Sequence, residues 1–446
     1  MIKTTFKAYF RCMDCSSEFS VDEIYFRCPN CNGLLDVVHD IEAIKSKTSQ
    51  EWKALWEKRF KTGEYPYSSG VWGKKEWVLP ELKDEFIVSL GEGATPLIPV
   101  YRFAKELNLE NVWIKQCGIS HTGSFKDLGM TVLVSKAKDL IYKGKQIKAI
   151  ACASTGDTSA ALAAYASYAE IPVIIFLPKN KVSLAQLIQP ITNGAYVFSL
   201  ETDFDGCMKL VQEITSDSSN GIYLANSMNP LRIEGQKTVG IEVIQQLGWN
   251  APDWFVIPGG NLGNVSALVE GFKLLYETGI LSFIPRVAVA QSHNANPLYK
   301  SYLNQFLTFE PVQAKQTLAS AIQIGNPVSY KKAKRALLYS NGVVEEATEE
   351  ELANTAAYLD THGLFVDPHT GVALASLIKL RRKGIIKEKE NVVVISTAHA
   401  LKFVEFKVKY HNKEFLDIES KYANQPIVLE ANINKIKNAI QKLLPL

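Results

Sequence analysis

Three segments place a reactive or anion-binding group where an apolar run passes into a helical pattern. In Ser120-His-Thr-Gly-Ser-Phe-Lys-Asp-Leu-Gly-Met130, Thr122 or Ser124 is suited to cap a helix that begins near Lys126. A lysine in the first helical turn meets the positive end of the macrodipole, and burial beside Phe125 disfavours its ammonium further. Such an amine is neutral more readily than a surface lysine, as Schiff-base chemistry requires. In Pro258-Gly-Gly-Asn-Leu-Gly-Asn264, a glycine-rich turn links the apolar run Trp254 to Ile257 to a helix beginning near Gly263. Its backbone N–H groups can face one oxyanion because Gly259, Gly260 and Gly263 carry no Cβ. The segment matches neither GxGxxG nor GxxxxGK[ST], and a plain glycine turn is the competing reading. In Ser154-Thr-Gly-Asp-Thr-Ser159, Ser154, Thr155 and Thr158 offer hydroxyls, and N–H groups around Gly156 can receive a carboxylate. The same residues also suit a helix cap.

Two further patterns add to these. Asn391-Val-Val-Val-Ile-Ser-Thr-Ala-His-Ala-Leu-Lys402 puts Thr397 just past the carboxyl end of a buried strand, where open α/β sheets bind ligands. A hydroxyl there can hydrogen-bond a ring nitrogen, while His399 reads as structural. Cys12-x2-Cys15 and Cys28-x2-Cys31 form two knuckles of the zinc-ribbon kind, a closed tetrahedral site that stabilises and does no chemistry. Four reduced thiols without metal are the alternative.

These groups need rigid elements to hold them. The 446 residues carry 49 Lys+Arg against 46 Asp+Glu, with 47% hydrophobic and 21% charged residues. A net charge of +3 and the absence of long like-charge blocks argue against a nucleic-acid or membrane-surface binder. Seven cysteines, four of them within the first 31 residues, suggest metal and a cytoplasmic location rather than a secreted disulfide scaffold. No secretory or membrane-spanning pattern appears. At about 150 residues per domain, the length allows roughly three units.

From Asn111 onward, strand-length runs (Val112 to Ile114, Ile147 to Cys152, Pro172 to Leu177, Trp254 to Ile257, Val287 to Ala290, Val392 to Ile395) alternate with helical patterns. The helices are expected over Lys126 to Tyr142, Thr158 to Ala169, Ser183 to Thr192, Glu234 to Leu247, Gly263 to Thr278, Thr348 to Leu359 and Gly371 to Arg382. Such alternation predicts βαβ units and a parallel sheet. Residues 1–90 read as a separate N-terminal region with a Trp-rich connector from Trp52 to Trp77, and Asn432 to Leu444 as a C-terminal amphipathic helix. The domain plan is thus 1–90, a catalytic core over 91–430 and a terminal helix over 431–446.

Taken together, a Schiff-base lysine, a phosphate cup, a carboxylate turn and a hydroxyl for a pyridine nitrogen describe a pyridoxal 5′-phosphate site. The motifs resemble the fold-type II family of pyridoxal phosphate enzymes. Gly91-Glu-Gly-Ala-Thr-Pro-Leu97, Ser-Phe-Lys126, Ser-Thr-Gly-Asp-Thr158, Asn226-Ser-Met-Asn-Pro-Leu-Arg-Ile-Glu-Gly-Gln-Lys-Thr238, Gly-Gly-Asn-Leu-Gly-Asn264 and Ser-Thr-Ala-His399 occur in the family's order. The likeness spans roughly residues 20–430. Trp72-Gly-Lys-Lys-Glu-Trp77 and Ala321-Ile-Gln-Ile-Gly325 look most like the plant-type branch of its L-threonine-forming members.

The resemblance implies two open, twisted, mostly parallel sheet domains flanked by helices, like the β subunit of tryptophan synthase. A smaller lobe of about residues 126–235 is inserted in the larger. It implies conversion of O-phospho-L-homoserine and water to L-threonine and phosphate by a homodimer, with Lys126 carrying the cofactor and then moving protons. Gly260, Asn261, Leu262, Gly263 and Asn264 would hold the cofactor phosphate, and Thr397 would meet the pyridine nitrogen. Ser154, Thr155 and Thr158 would take the substrate carboxylate; Arg232, with Asn226 and Ser227, would take its phosphate, since guanidinium pairs bidentately with phosphate oxygens. Asp157 stands where many relatives have Asn, and an ionised Asp can only accept a hydrogen bond. Threonine dehydratase or cysteate synthase chemistry on the same scaffold is the nearest alternative, and a noncatalytic zinc-ribbon binding protein a remoter one.

Overall fold

Apolar runs that end in glycine or hydroxyl-rich turns build two parallel sheets, described here from a computed structural model covering residues 6–179 and 184–444. The larger sheet contains β4 (Leu97–Pro99), β5 (Asn111–Gln116), β10 (Trp254–Pro258), β11 (Arg286–Ser292), β12 (Val343–Ala347) and β13 (Asn391–Ser396). Its order is β12-β11-β10-β13-β5-β4, parallel throughout except for the antiparallel edge strand β4. The smaller sheet, wholly parallel, has the order β8-β7-β6-β9, from β6 (Ala149–Ala153), β7 (Val173–Pro178), β8 (Tyr196–Leu200) and β9 (Ile222–Leu224). Every residue of β6 and of β10 is buried, as in strands covered by helices on both faces.

Strand β10 lies between β11 and β13. The loops after β10 and β13 therefore leave the sheet side by side at the point where its order reverses, the crevice that α/β sheets use for ligands. In the smaller sheet the loop after β6 occupies the same kind of position, between β7 and β9.

The expected helices are present, with informative shifts. Ser183 lies outside the described residues, and the helix assigned from it runs Leu184–Thr192. The stretch expected as one helix from Glu234 to Leu247 is two, Leu231–Gln236 and Thr238–Gln246. At the break the Thr238 hydroxyl donates to the Gly235 carbonyl at 2.7 Å. The Lys126–Tyr142 helix begins at Lys126, but its cap is Phe125, without a side-chain capping bond. Thr122 does not cap it, and Ser124 contributes one long bond, its hydroxyl accepting from Lys126 N at 3.4 Å. Instead Asp127 reaches back, accepting from Ser120 Oγ at 2.9 Å, from Thr122 N at 2.8 Å and from the Thr122 hydroxyl. A carboxylate in the first turn does the tying because it can accept from several donors of the preceding loop at once.

The N-terminal region does not keep a core of its own. Its antiparallel sheet, β2-β1-β3, comprises β1 (Ala8–Cys12), β2 (Glu18–Ser20) and β3 (Leu35–His39). Trp52, Trp56, Trp72 and Trp77 are fully buried in the same apolar cluster as Phe255, Ile257 and Leu268 of the larger lobe. Trp72 Nε1 donates to Thr131 Oγ1 at 2.7 Å on the Lys126 helix. The sequence signals turns and tryptophans there but not which surface the indoles meet. The C-terminal helix Ile433–Leu443 buries no residue against the chain.

Candidate active site

Lys126 and Arg232 come together through a close helix crossing. A Cβ on Gly235 would lie 1.6 Å from the Leu128 carbonyl oxygen, and one on Gly129 would lie 2.9 Å from that of Arg232, so only glycine lets the two backbones approach. The helices Lys126–Tyr142 and Leu231–Gln236 thus point their lysine and arginine into one cleft, with about 650 Å³ of empty space partly open to solvent.

Burial pushes the Lys126 amine down to about 7; Arg232 nearby reinforces this and Asp157 opposes it. Its Nζ sits 4.0 Å from the centre of the Phe125 ring. Arg232 is 4% exposed. Its Nη1 donates to the Ala225 carbonyl at 3.1 Å and its Nη2 to Thr158 Oγ1 at 3.4 Å, while its Nε has no partner. Among the described residues no carboxylate pairs with it, and burial pulls the guanidinium down to about 10. An interior cation without a counter-ion costs desolvation energy that an incoming anion offsets.

Opposite lies the glycine loop. Leu262 adopts φ +67°, ψ +4°, left-handed values that turn successive N–H groups toward one point at the start of the Gly263–Glu277 helix. The Asn264 side chain closes the loop, donating to the Pro258 carbonyl at 2.8 Å. A Cβ on Gly260 would come within 3.1 Å of Ile322. Thr397, 6% exposed, lines the cleft next to Phe125.

Of the residues expected at the site, Lys126, Asp157, Ser227, Arg232, Gly260, Asn261, Leu262, Gly263, Asn264 and Thr397 line this cleft. Ser154, Thr155, Thr158 and Asn226 flank it, with Thr158 Oγ1 accepting from Arg232 Nη2 at 3.4 Å. The Ser154 hydroxyl accepts from Gly156 N and Ser159 N, both at 3.2 Å. Asn226, expected beside the substrate phosphate, instead has its amide taken up by Ala153, donating to the carbonyl at 2.8 Å and accepting from the N–H at 2.9 Å. It fixes the end of β6. His399 acts as a local cap, its Nδ1 accepting from Leu401 N at 3.2 Å.

Sequence reasoning missed other lining groups: Phe125 as wall, Gln236, His369, Ala321, Ile322 and Ile324. His369 donates from Nδ1 to Asp367 at 2.6 Å and accepts the Ala321 N–H on Nε2 at 3.0 Å, which fixes its ring and seats Ile322 over Gly260. Asp-Pro-His-Thr370 at a helix start was a signal that could have drawn attention.

The four cysteine sulfurs lie within 4.8 Å of one another, with Cys12 and Cys31 3.4 Å apart and Cys15 and Cys28 3.5 Å apart. Four thiolates about 2.3 Å from a tetrahedral ion are spaced by roughly 3.8 Å, so the quartet can hold a metal. It is tied to the Arg232 helix through β3, since His39 Nε2 contacts Glu234 Oε2 at 2.7 Å and Lys237 Nζ at 2.9 Å.

Two parallel-sheet lobes, a lysine opening a helix and a glycine cup facing it define a fold-type II pyridoxal phosphate enzyme. The model of the family "Pyridoxal-phosphate dependent enzyme" matches residues 88–398. Threonine synthase 2, chloroplastic, of Arabidopsis thaliana is 50% identical over 431 residues, 96% of this chain and 83% of that one. Threonine synthase of Methanocaldococcus jannaschii is 37% identical over 97% of this chain and 99% of its own length. The crystal structure of Escherichia coli threonine synthase superposes with a TM-score of 0.68 at 20% identity, covering 98% of this chain and 100% of that one. The chain belongs to the threonine synthase family of pyridoxal-phosphate-dependent enzymes.

Proposed function

We propose that the chain converts O-phospho-L-homoserine and water to L-threonine and phosphate in this cleft. The observation that carries the substrate is Arg232, a buried guanidinium with an unpartnered Nε and, among the described residues, no paired carboxylate, set beside a lysine whose amine burial pulls down to about 7. A hydroxy amino acid would leave that cation unpaired, which favours a phosphorylated substrate over the dehydratase reaction.

The cleft fits pyridoxal phosphate: Gly260 to Asn264 would hold its phosphate, Lys126 its aldehyde carbon and Thr397 its ring nitrogen. Bound there, the cofactor supplies an electron sink for carbanions at the substrate. In net terms Lys126 would remove one proton each from the substrate Cα and Cβ and return one each to Cγ and Cα, while Arg232 would hold the departing phosphate and water would place its hydroxyl on Cβ and its remaining proton on that phosphate. The Ser154 to Thr158 turn is the proposed carboxylate seat, with Ser227 at the phosphate end; Asn226 acts on both through Ala153.

The same proposal gives Cys12, Cys15, Cys28 and Cys31 a structural zinc ion. It places the enzyme in the cytoplasm, supported by seven free cysteines, as a homodimer, supported by the exposed apolar residues Ile433, Ile436, Ile440 and Leu443 along the terminal helix. Nucleic acid and membrane are not proposed partners. No helix among the described residues is long and apolar enough to cross a membrane. The test is an absorption spectrum of the purified protein before and after O-phospho-L-homoserine, with phosphate and threonine quantified. Visible cofactor absorbance with equal release of the two products is expected; absorbance without turnover would redirect the search to related substrates.

A further inference from the structure

The segment that follows β13 has one charged member that the proposed reaction leaves unused. Lys402 leaves the turn Ala400–Phe403 of the larger lobe, and its Nζ lies 3.3 Å from Asp157 Oδ1. The same ammonium donates to the Thr122 carbonyl at 2.9 Å and to Gln189 Oε1 at 2.5 Å. Gln189 Nε2 donates back to that carbonyl at 3.1 Å. The Lys402 stem runs over Gly123, whose φ is +83° and where a Cβ would come within 3.1 Å of Lys402 Cδ. One side chain therefore joins four segments: its own turn, the Ser120–Phe125 loop that presents Lys126, the Asp157–Tyr168 helix and the Leu184–Thr192 helix.

Its charge also bears on the cleft. Two ionic groups face Lys126, Asp157 from one helix and Arg232 from another, with opposite effects on its amine. His369, the other titratable group on the wall, is engaged on both ring nitrogens, by the Ala321 N–H and by Asp367. Lys402 meets Asp157 from the side of the larger lobe.

We propose that Lys402 is a positioning residue for the reaction at Lys126: it locks the loop that presents the lysine and offsets the carboxylate of Asp157, so that Arg232 is the uncompensated charge the amine faces. This rests on the pyridoxal phosphate reading of the cleft. An unshielded Asp157 would retain a proton on Lys126, so the form that acts as base would appear only at higher pH.

The test uses full-length wild type, Lys402→Met, Lys402→Gln, Lys402→Arg and the double variant Lys402→Met with Asp157→Asn. Lys402→Gln keeps a donor for the Thr122 carbonyl if the methionine variant folds poorly. Two pH midpoints are read: the acid limb of kcat/KM for O-phospho-L-homoserine, and the rate at which protein stripped of cofactor regains visible absorbance on addition of pyridoxal phosphate. In the charge-free variants both should move upward by about one pH unit, Lys402→Arg should restore them, and the double variant should return them to the wild-type value. Midpoints that stay at the wild-type value while kcat falls would reduce Lys402 to packing and overturn the proposal. A shift that persists in the double variant would overturn the route through Asp157. If wild type takes up no pyridoxal phosphate, the reading of the cleft fails and the proposal falls with it.

Discussion

The carbonyl oxygen of Thr397 accepts the N–H of Phe125 at 2.9 Å, which ties the end of β13 to the residue immediately before Lys126. His399 N donates to the Gly123 carbonyl at 2.9 Å, and Ser124 forms a bridge with Ala398. A Cβ on Gly118 would lie 2.3 Å from the Ala398 carbonyl carbon, so no side chain intervenes. The lysine and the threonine hydroxyl are thus held by main-chain bonds, which side-chain substitution at neighbouring positions does not remove. Substitution of the Lys126 side chain can therefore change the chemistry without dismantling this junction.

Lys126→Ala is expected to abolish the visible cofactor absorbance and all threonine formation. A variant that keeps the band would show that another lysine carries the cofactor. In the wild type, the amine must be neutral to take a proton, and burial sets it at about 7. Its protonated form grows as pH falls through that value, so kcat/KM should decline tenfold per unit below about pH 7 and level off above it. A flat profile between pH 5 and 8 would contradict the assignment of Lys126 as base.

Arg232→Ala should raise KM for O-phospho-L-homoserine by about 100-fold, the loss of a charge-assisted phosphate contact, with cofactor absorbance unchanged. Because the guanidinium is buried without a counter-ion, Arg232→Met should leave the ligand-free protein as stable as wild type or raise its stability by about 1 kcal/mol. Urea unfolding in phosphate-free buffer checks this. A large destabilisation would mean that the bonds of Arg232 to the Ala225 carbonyl and Thr158 Oγ1 are its role and that it is not waiting for an anion.

Gly235→Ala separates packing from propensity. In an exposed helix the change stabilises by about 1 kcal/mol, but here the new methyl would sit 1.6 Å from the Leu128 carbonyl oxygen. The expected result is destabilisation by about 3 kcal/mol or more, with KM for substrate rising as Arg232 is pushed away from Lys126. Thermal melts that match wild type would refute the close helix crossing.

The cysteine quartet should carry one zinc ion per chain by elemental analysis. Chelation, or Cys12→Ser, should lower Tm by about 5 °C or more. It should also raise KM, because β3 and His39 brace the Arg232 helix through Glu234 and Lys237. Metal-free protein of unchanged Tm would assign the quartet to reduced thiols.

The chemistry that could be recognised in the sequence was local. A lysine after Ser-Phe, a glycine turn between an apolar strand and a helix, and a hydroxyl past the end of a buried strand are each written in fewer than a dozen consecutive residues. Their reading depends only on strand and helix periodicity and on the N–H groups a helix start exposes. The same holds for the CxxC knuckles and for strands β6, β10 and β13, whose apolar runs are long enough to stand out. Strands β9 and β12 did not, since β9 has only three residues and the apolar start of β12 breaks at Glu345 and Glu346. What the tertiary structure decided is pairing across distance. That Lys402 meets Asp157, that His369 holds Ala321, that the Asn226 amide pairs with Ala153, and that the tryptophan connector enters the core of the larger lobe follow from sheet order and helix crossing. These contacts join residues tens to hundreds of positions apart, and nothing in either partner's immediate sequence specifies the other.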